Sequence, residues 1–235
     1  CLPAYENALD ELASSGRLYR CNCSRSIIKR HGRPSPEGGW AYPNTCQENL
    51  IASSDWRNCT DALRLRLASE IVVVQDEDGI QLKQNPSLEM GDPIVRRRDG
   101  AFAYHLASVV DDIQFDINRI VRGRDLLPTT PTQIQIRNLL KHPQPQYKHH
   151  LLLLENRQQK LAKLHGSVGF VKIEAHMSPQ QFLGSLAAII GLQNDTIPIN
   201  PQELLARFNW SAISQQDQVV RWENRTLVAD HWVTP

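Results

Sequence analysis

Three cysteines flank a stretch of chain that cannot form a regular element. Cys21 and Cys23 precede it and Cys46 ends it, and residues 32–46 contain three prolines and three glycines. Structural zinc sites use four ligands in a tetrahedron, and thiolates are the preferred donors. A bound metal would order a loop that cannot bury enough apolar surface to order itself. The spacing therefore indicates a zinc site, and the alternative is three free thiols that are close only in sequence.

The residue types that can complete a zinc tetrahedron leave the fourth ligand open. Histidine, carboxylate, a further cysteine and, less commonly, tyrosine can all serve. The candidates in this sequence are His31, Glu37, Tyr42 and Cys59.

Basic side chains occur in short runs that could bind phosphate. The densest run is Arg96–Arg98, and smaller groups contain Lys29, Arg30 and Arg33, or Lys141, Lys148, His149 and His150. Alternate residues of a strand face opposite ways, so we expect one arginine of the run to point toward RNA or substrate and the others to be solvated. Ordinary surface charge is the simpler interpretation of each run. The adjacent carboxylates Asp111 and Asp112 are interpreted as a helix end or a packing feature.

Composition excludes several classes of protein. The 235 residues suit one large domain or two small ones, and 26 Lys and Arg nearly balance 25 Asp and Glu. This balance argues against a disordered tail and against nucleic-acid binding by bulk charge alone. The sequence has no apolar run of about 20 residues, which excludes a membrane span. An odd number of cysteines with a Cys-x-Cys pair favours a reducing cytoplasm over a disulfide framework.

Hydrophobic periodicity predicts the elements that must position these side chains. Helices are predicted at 4–15, 24–31 (capped by Ser24), 101–112, 130–141 (Thr130 at the N-cap and Pro131 at N1) and 178–192 (Ser178 at the N-cap and Pro179 at N1). Strands are predicted at 17–23, at 62–67 (half-buried), at 71–82 (two strands around Asp78-Gly79), at 92–98, at 118–127 (buried) and at 149–154 (buried). The last 65 or so residues are predicted to be mainly helical.

Several motifs in one order resemble a known family. They are LYRCNCSRSII, AYPNTC, RRRDGAFAYHLASVVDD (96–112), IVRGRDLL (120–127), PTQIQI (131–136) and KLAK (160–163). Together they resemble the glutamyl-Q tRNA(Asp) synthetases, which are short relatives of glutamyl-tRNA synthetase. The resemblance covers most of residues 5–170.

The resemblance implies an α/β fold. The expected fold is a class I Rossmann-like catalytic domain, incomplete at its N-terminus, with a zinc-binding insertion and a helical C-terminal region. The corresponding segments are a catalytic remnant at 1–16, a zinc module at 17–60, the remaining catalytic domain at 61–165 and the helical region at 166–235.

The resemblance also implies roles for individual residues. The zinc ligands would be Cys21, Cys23, Tyr42 and Cys46, so that Tyr42 becomes the fourth ligand. Tyr104 and Arg122 would bind glutamate. Lys160 and Lys163 would form a KMSKS-type loop in which Lys163 is the catalytic, ATP-contacting lysine, although Ala162 stands where the family usually has serine.

The implied activity is ATP-dependent, magnesium-assisted activation of glutamate and its transfer to queuosine in the anticodon loop of tRNA(Asp), by a cytoplasmic monomer. The HIGH-type signature of the family is not in this sequence, and His31–Pro36 resembles its neighbouring segment only superficially. We therefore expect the 235-residue chain alone to be inactive. The alternatives are a non-catalytic zinc-containing tRNA-binding fragment and a truncated glutamyl-tRNA synthetase, for which the 72 residues after Lys163 are too few.

Overall fold

The computed structural model describes residues 2–156, 159–160 and 170–229. The chain forms two compact units, Cys1–His149 and His150–Pro235. The four-segment division predicted from the sequence, with its last boundary at 165/166, stays a prediction.

The first unit mixes helices and short strands. Its helices are α1 (Leu2–Ser14), α2 (Arg25–His31), α3 (Pro86–Glu89), α4 (Tyr104–Gln114) and α5 (Thr130–Leu139), with 3₁₀ turns at Trp56–Asn58 and Arg124–Thr129. Its strands are β1 (Leu18–Cys21), β2 (Ala62–Leu65), β3 (Val72–Gln75), β4 (Gln81–Gln84), β5 (Ile94–Arg96), β6 (Arg119–Gly123) and β7 (Gln146–His150), which ends at the boundary.

An antiparallel sheet in the order β1-β2-β5 forms the centre of the first unit. β3 and β4 form a hairpin, and β6 pairs with β7. Leu9 and Leu12, which the periodicity places on one face of α1, are fully buried against this sheet together with Leu106 of α4 and Ile136 of α5. This shared core fixes α4 and α5, the two helices on which much of the candidate site depends.

Three strand predictions for this unit need correction. β2 was predicted to be half-buried, but all four of its residues are buried, because Leu63 and Leu65 pack in the core and Tyr42 covers Arg64 on the other face. The strand at 118–127 was predicted to be buried, but β6 is mostly half-exposed. The single strand predicted at 149–154 is two strands, since β7 ends at His150 and the next begins at Leu153.

The caps of the helices follow the sequence closely. Ser24 Oγ accepts a hydrogen bond from the Ile27 amide and caps α2, as predicted. The cap of α5 is Thr129 rather than the predicted Thr130, so that Pro131 occupies the second helical position.

The second unit contains β8 (Leu153–Asn156), β9 (Gln159–Lys160), α6 (Phe170–Glu174), α7 (Pro179–Ile189), α8 (Pro201–Arg207), a 3₁₀ turn at Trp210–Ala212, β10 (Gln218–Glu223) and β11 (Thr226–Ala229). α7 begins with the predicted Ser178 cap, which forms a reciprocal capping box with Gln181. The mainly helical prediction missed the sheet β11-β10-β8-β9. Among the residues described, every helix is too short or too polar to traverse a lipid bilayer.

Candidate functional site

The cysteine cluster, defined as Cys21, Cys23 and Cys46, brings three thiols together at the end of β1. Their sulfur atoms all lie within 4.8 Å of one another, and the Cys23 and Cys46 Sγ atoms are 3.5 Å apart. In a zinc tetrahedron with Zn–S bonds of about 2.3 Å, neighbouring sulfurs are ~3.8 Å apart. The donor set and spacing therefore fit a thiolate-rich metal site.

The Tyr42 hydroxyl lies beside this cluster. Its Oη is 3.4 Å from Cys21 Sγ and accepts a hydrogen bond of 3.0 Å from the Cys46 amide. Burial raises the pKa of Tyr42 above its ordinary value, and the neighbouring Cys21 and Cys46 add to the effect. A bound divalent cation would stabilise the phenolate form of Tyr42, which burial alone disfavours. The family resemblance implies that Tyr42 is the fourth ligand, and this stays a prediction.

Two of the other candidate ligands are engaged elsewhere. The Glu37 carboxylate lies 3.6 Å from Nε2 of His105, on α4. The Cys59 thiol faces the carbonyl oxygen of Asp61 at 3.9 Å. The pairing of Glu37 also links the loop 32–46 to the helix that begins with Tyr104.

Arg64 of β2 packs against Tyr42 beside the cysteine cluster. Its guanidinium lies 3.5 Å from the centre of the Tyr42 ring, at a cation–π distance, and donates to the carbonyl oxygen of Asp92. Burial acts to raise the pKa of Cys21, but hydrogen bonds from Tyr42 and Arg64 and the charge of Arg64 outweigh it and lower that pKa. The buried arginine therefore favours the thiolate form that a metal requires.

The fully buried Asp92 carboxylate joins the base of the loop to the sheet. It accepts hydrogen bonds from Tyr19 Oη at 2.8 Å, Gln47 Nε2 at 2.6 Å and the Leu67 amide at 2.9 Å. Spacing in the sequence gave no signal for Arg64, on a strand whose alternation suggests a surface arginine, or for Asp92, in the bend before β5.

Arg122 of β6 lies in a network of polar side chains. Its Nη1 donates to Gln133 Oε1 at 2.8 Å, its Nη2 donates to Thr130 Oγ1 at 2.7 Å, and its Nε donates to His149 Nε2 at 3.3 Å. Guanidinium has five N–H groups, so three are used within the described residues and one remains on each terminal nitrogen. These N–H groups can donate to an anionic ligand.

His149 is fixed in turn by Asp76, and both side chains are buried. The Asp76 carboxylate lies 3.2 Å from His149 Nδ1 and also accepts the His149 amide at 2.8 Å. Because arginine can only donate, Nε2 must be the accepting nitrogen, which assigns the ring hydrogen to Nδ1. We refer to Arg122, Thr130, Gln133, His149 and Asp76 as the Arg122 network. The interpretation of Lys148 and His149 as surface charges is wrong, since both side chains are buried.

Tyr104 begins α4 and is about half exposed, at 51%. Ser108, one helical turn later, accepts a hydrogen bond of 2.8 Å from Gln133, which itself accepts from Arg122. These contacts link α4 to Arg122 through Ser108 and Gln133, and whether Tyr104 faces the same ligand stays a prediction.

Burial also affects the acids and phenols near Arg122. It raises the pKa of Tyr147, whose ring centre is 5.5 Å from the guanidinium, to about 12. It likewise raises the pKa of Asp112, against the opposing charges of Arg137 and Arg122.

The structure describes only some of the remaining predicted site residues. Lys163 lies outside the described residues, and only the backbone of Lys160, in β9 of the second unit, is described. Of the arginine run, Arg96 donates to the Cys59 carbonyl at 2.8 Å and Arg97 pairs with Asp99, while Arg98 is exposed. Asp111 accepts a hydrogen bond from Tyr5, which supports its interpretation as a packing feature.

Known proteins match this chain over most of its length. A model of the catalytic domain of class I tRNA synthetases (E and Q) matches residues 2–223. The glutamyl-Q tRNA(Asp) synthetase of Symbiobacterium thermophilum is 36% identical over 96% of this chain and 71% of its own length. The chain belongs to the glutamyl-Q tRNA(Asp) synthetase family.

Further relatives and solved structures of this family and its neighbours match the chain. The enzyme of the same name from Nocardia farcinica is 36% identical over 92% of this chain and 68% of its own length. The one from Thiobacillus denitrificans is 42% identical over 68% of this chain and 52% of its own length. A glutamate tRNA ligase from Elizabethkingia meningosepticum, solved in complex with its amino acid, has a TM-score of 0.68 at 16% identity and covers 92% of this chain. The class I synthetase α/β fold expected from the sequence is therefore confirmed.

The chain spans only part of the proteins it matches. It covers 50% of the glutamate tRNA ligase and between 52% and 71% of the three relatives. The activity of a whole synthetase is accordingly a proposal for this chain.

Proposed function

We propose that this chain is the main part of an enzyme that activates glutamate with ATP and transfers it to queuosine in the anticodon loop of tRNA(Asp). The single observation that best supports it is the Arg122 network, which holds a guanidinium with one uncommitted N–H on each terminal nitrogen among the described residues. The substrates, queuosine and tRNA(Asp) among them, come from the relatives' names and from the resemblance. ATP and tRNA are cytoplasmic, so the cytoplasm is the compartment we propose.

Arg122 would bind a carboxylate of glutamate through those two N–H groups. Three of its donors are already directed at Gln133, Thr130 and His149, so the side chain loses little rotamer freedom when the substrate arrives. The half-exposed Tyr104 would offer an aromatic wall and a hydroxyl beside the substrate. Both roles rest on motifs shared with the family.

Activation joins a glutamate carboxylate oxygen to the α-phosphorus of ATP and breaks the bond to pyrophosphate. Negative charge grows on the α-phosphate oxygens and on the leaving group, so a nearby ammonium lowers the barrier. We assign this role to Lys163, assisted by Lys160 and by magnesium bound to the ATP phosphates. A queuosine hydroxyl then attacks the glutamyl carbonyl and releases AMP.

The cysteine cluster with Tyr42 would hold zinc in a structural role. A site whose four positions are filled by protein leaves no position for substrate, so zinc would order the loop 32–46 rather than take part in the reaction. Through the pairing of Glu37 with His105, that order would reach the start of α4.

The experiment that tests the proposal uses the protein expressed from its natural start. Glutamate-dependent exchange of pyrophosphate into ATP should occur without tRNA, because the Arg122 network is formed within the protein alone. Labelled glutamate should then be transferred to queuosine-containing tRNA(Asp) and not to the same tRNA lacking queuosine. Transfer to the 3′ end of tRNA(Glu) instead would show a glutamyl-tRNA synthetase, and the absence of both reactions would contradict the enzyme proposal.

A further inference from the structure

The charges of this chain are unevenly distributed, although their sum is only +1. Residues 12–36 contain six Lys and Arg and no Asp or Glu, so the rest of the chain carries a formal charge of −5. Local concentrations of one sign determine which partners a surface attracts, even when the net charge is near zero.

Four of these six cations are exposed on or just beyond one short helix, and we call them together the basic face. They are Arg25, Lys29 and Arg30 of α2, together with Arg33 just beyond its end. Arg25 and Lys29 are four residues apart and therefore neighbours on the helix, where two like charges destabilise it. α2 contains no acidic residue that would offset this repulsion. Lys29 and Arg30 lie in the last turn, where cations favour the helix dipole, but Arg25 in the first turn gains nothing from it.

The cations of the basic face also differ from other surface arginines of the protein. Arg57 pairs with Asp10 at 2.7 Å, Arg97 with Asp99 at 2.6 Å and Arg221 with Glu223 at 3.3 Å. Within the described ranges, none of the four cations of the basic face has a carboxylate within ion-pair distance. Their charge is therefore available to an external anion.

An exposed aromatic residue lies on the segment whose backbone pairs with the residues just after α2. The backbone of Trp40 forms an isolated antiparallel bridge with Pro34, and the next amide, that of Ala41, donates to the Arg33 carbonyl at 2.8 Å. Trp40 is 44% exposed. An exposed indole next to arginines is the combination on which unpaired bases stack while their phosphates are held.

The backbone under the basic face is held in a fixed position. Ile28 packs against the cysteine cluster, and the Gly32 amide donates to the Ile28 carbonyl at 2.7 Å. A Cβ atom at Gly32 would lie 2.3 Å from the Ala41 carbonyl oxygen, so the end of α2 sits directly on the strand that carries Trp40. The cations and the indole are thus presented from one compact platform.

We propose that the basic face and Trp40 form an RNA-binding surface, in which the cations contact backbone phosphates and the indole stacks on an unpaired base. The inference rests on the proposed function, since tRNA is the RNA to be bound. A membrane-surface helix would need a continuous apolar face, and the exposed apolar residue of α2 is Ile27 alone, since Ile28 packs inward. RNA is therefore the anionic partner that these observations favour.

The charge of the basic face is tested with the variant Arg25→Gln/Lys29→Gln/Arg30→Gln. Binding of fluorescent tRNA(Asp) is measured by anisotropy at several salt concentrations. Each lost phosphate contact should reduce the slope of log K against log salt by about 0.7–0.9, so the triple variant should lose roughly 2 to 3 units of slope and bind at least about tenfold more weakly at low salt. The matched control Arg57→Gln/Arg97→Gln/Arg221→Gln removes paired cations and should leave the slope nearly unchanged.

The stacking role is tested separately with Trp40→Ala. Affinity for an anticodon stem-loop should fall about 5- to 150-fold with the salt slope unchanged, because stacking involves no counterion release. Affinity for a fully paired duplex should change little. Phe115→Ala, which removes an aromatic side chain that is 62% exposed, is the control. Thermal unfolding of all variants shows whether they retain the fold, as expected for exposed positions.

The outcomes separate this inference from the proposed function. Unchanged affinity and slope in the triple variant, or tRNA binding weaker than binding to phosphatidylserine vesicles, would overturn the RNA-binding surface. If the wild-type protein transfers glutamate to tRNA(Asp) while the triple variant does so equally well, the surface assignment fails and the enzyme stands. If no glutamate is transferred but the variants weaken tRNA binding as stated, the surface stands and the enzyme assignment fails.

Discussion

The cysteine cluster and the Arg122 network lie in the same unit, but different interactions hold their side chains in place. The thiols lie at the edges of a loop rich in proline and glycine, and the atoms closest to them are each other and the Tyr42 and Thr45 hydroxyls. Arg122 instead donates to three side chains on α5 and β7, and His149 is braced by the buried Asp76. If the first site holds zinc as proposed, its order depends on the ion, whereas the hydrogen bonds of the second are formed by the protein alone.

This comparison indicates that the two sites will fail in different ways. A site organised by a metal loses its order when the metal leaves, because the loop has little apolar surface to bury. A site organised by hydrogen bonds on helices and strands keeps its order until one of its partners is removed.

The largest expected effect comes from removing a metal ligand. Cys46→Ser should abolish stoichiometric zinc and make the loop 32–46 sensitive to protease, since a serine hydroxyl is a poor substitute for a thiolate. Zinc content by mass spectrometry and limited proteolysis measure the two effects. Cys59→Ser, outside the cluster, should change neither. Full zinc occupancy in the Cys46 variant would contradict the assignment of the cluster.

The next largest effect is expected from replacing Arg122, the central residue of the Arg122 network. Arg122→Ala should lower kcat/KM for glutamate by about 10²–10³-fold, since a charged contact to the substrate is lost. Zinc content should stay at the wild-type level, which is the contrast with the first variant. Arg119→Ala, on the same strand but paired with Glu77, serves as the control. An unchanged KM for glutamate in the Arg122 variant would remove this residue from the substrate site.

A comparable or smaller loss is expected at Lys163. Lys163→Ala should slow glutamate-dependent pyrophosphate exchange about 100-fold, because an ammonium no longer meets the charge that grows on the phosphates. The KM for glutamate and the melting temperature should change little. Lys141→Ala, an exposed lysine near Glu11, is the matched control. Exchange at the wild-type rate would show that Lys163 does not take part in activation.

Much of this arrangement could be predicted from the sequence. Local signals, such as the Ser24 and Ser178 caps and the turn at Asp78-Gly79, act over a few residues and were interpreted correctly. The grouping of Cys21, Cys23 and Cys46 also followed from their spacing around the loop.

The parts that were missed depend on contacts between residues far apart in sequence. The alternation in 62–67 suggested an exposed Arg64, but Tyr42 covers it from a distant loop. His149 looked like a surface charge until Asp76, 73 residues earlier, supplied a buried partner. β10 and β11 were assigned to a helical region, although β10 pairs with β8 more than 60 positions earlier and with β11 in a local hairpin around Asn224-Arg225. Spacing within a segment carries no information about such partners.

The smallest effect is expected from Asp76, which holds His149 in place beside Arg122, and a variant there tests whether the Arg122 network acts as one unit. Asp76→Asn keeps the size of the side chain but removes the negative charge that fixes the ring hydrogen on His149 Nδ1. The histidine can then present an N–H toward Arg122 instead of an acceptor, so the guanidinium should turn and KM for glutamate should rise about tenfold, with a smaller change in kcat. Asp78→Asn, on the same hairpin turn but paired with Lys148, is the control.

A double variant Asp76→Asn/Arg122→Ala should be no worse than Arg122→Ala alone, because Asp76 acts only through Arg122. Additive losses would instead mean that Asp76 supports the fold rather than the position of Arg122.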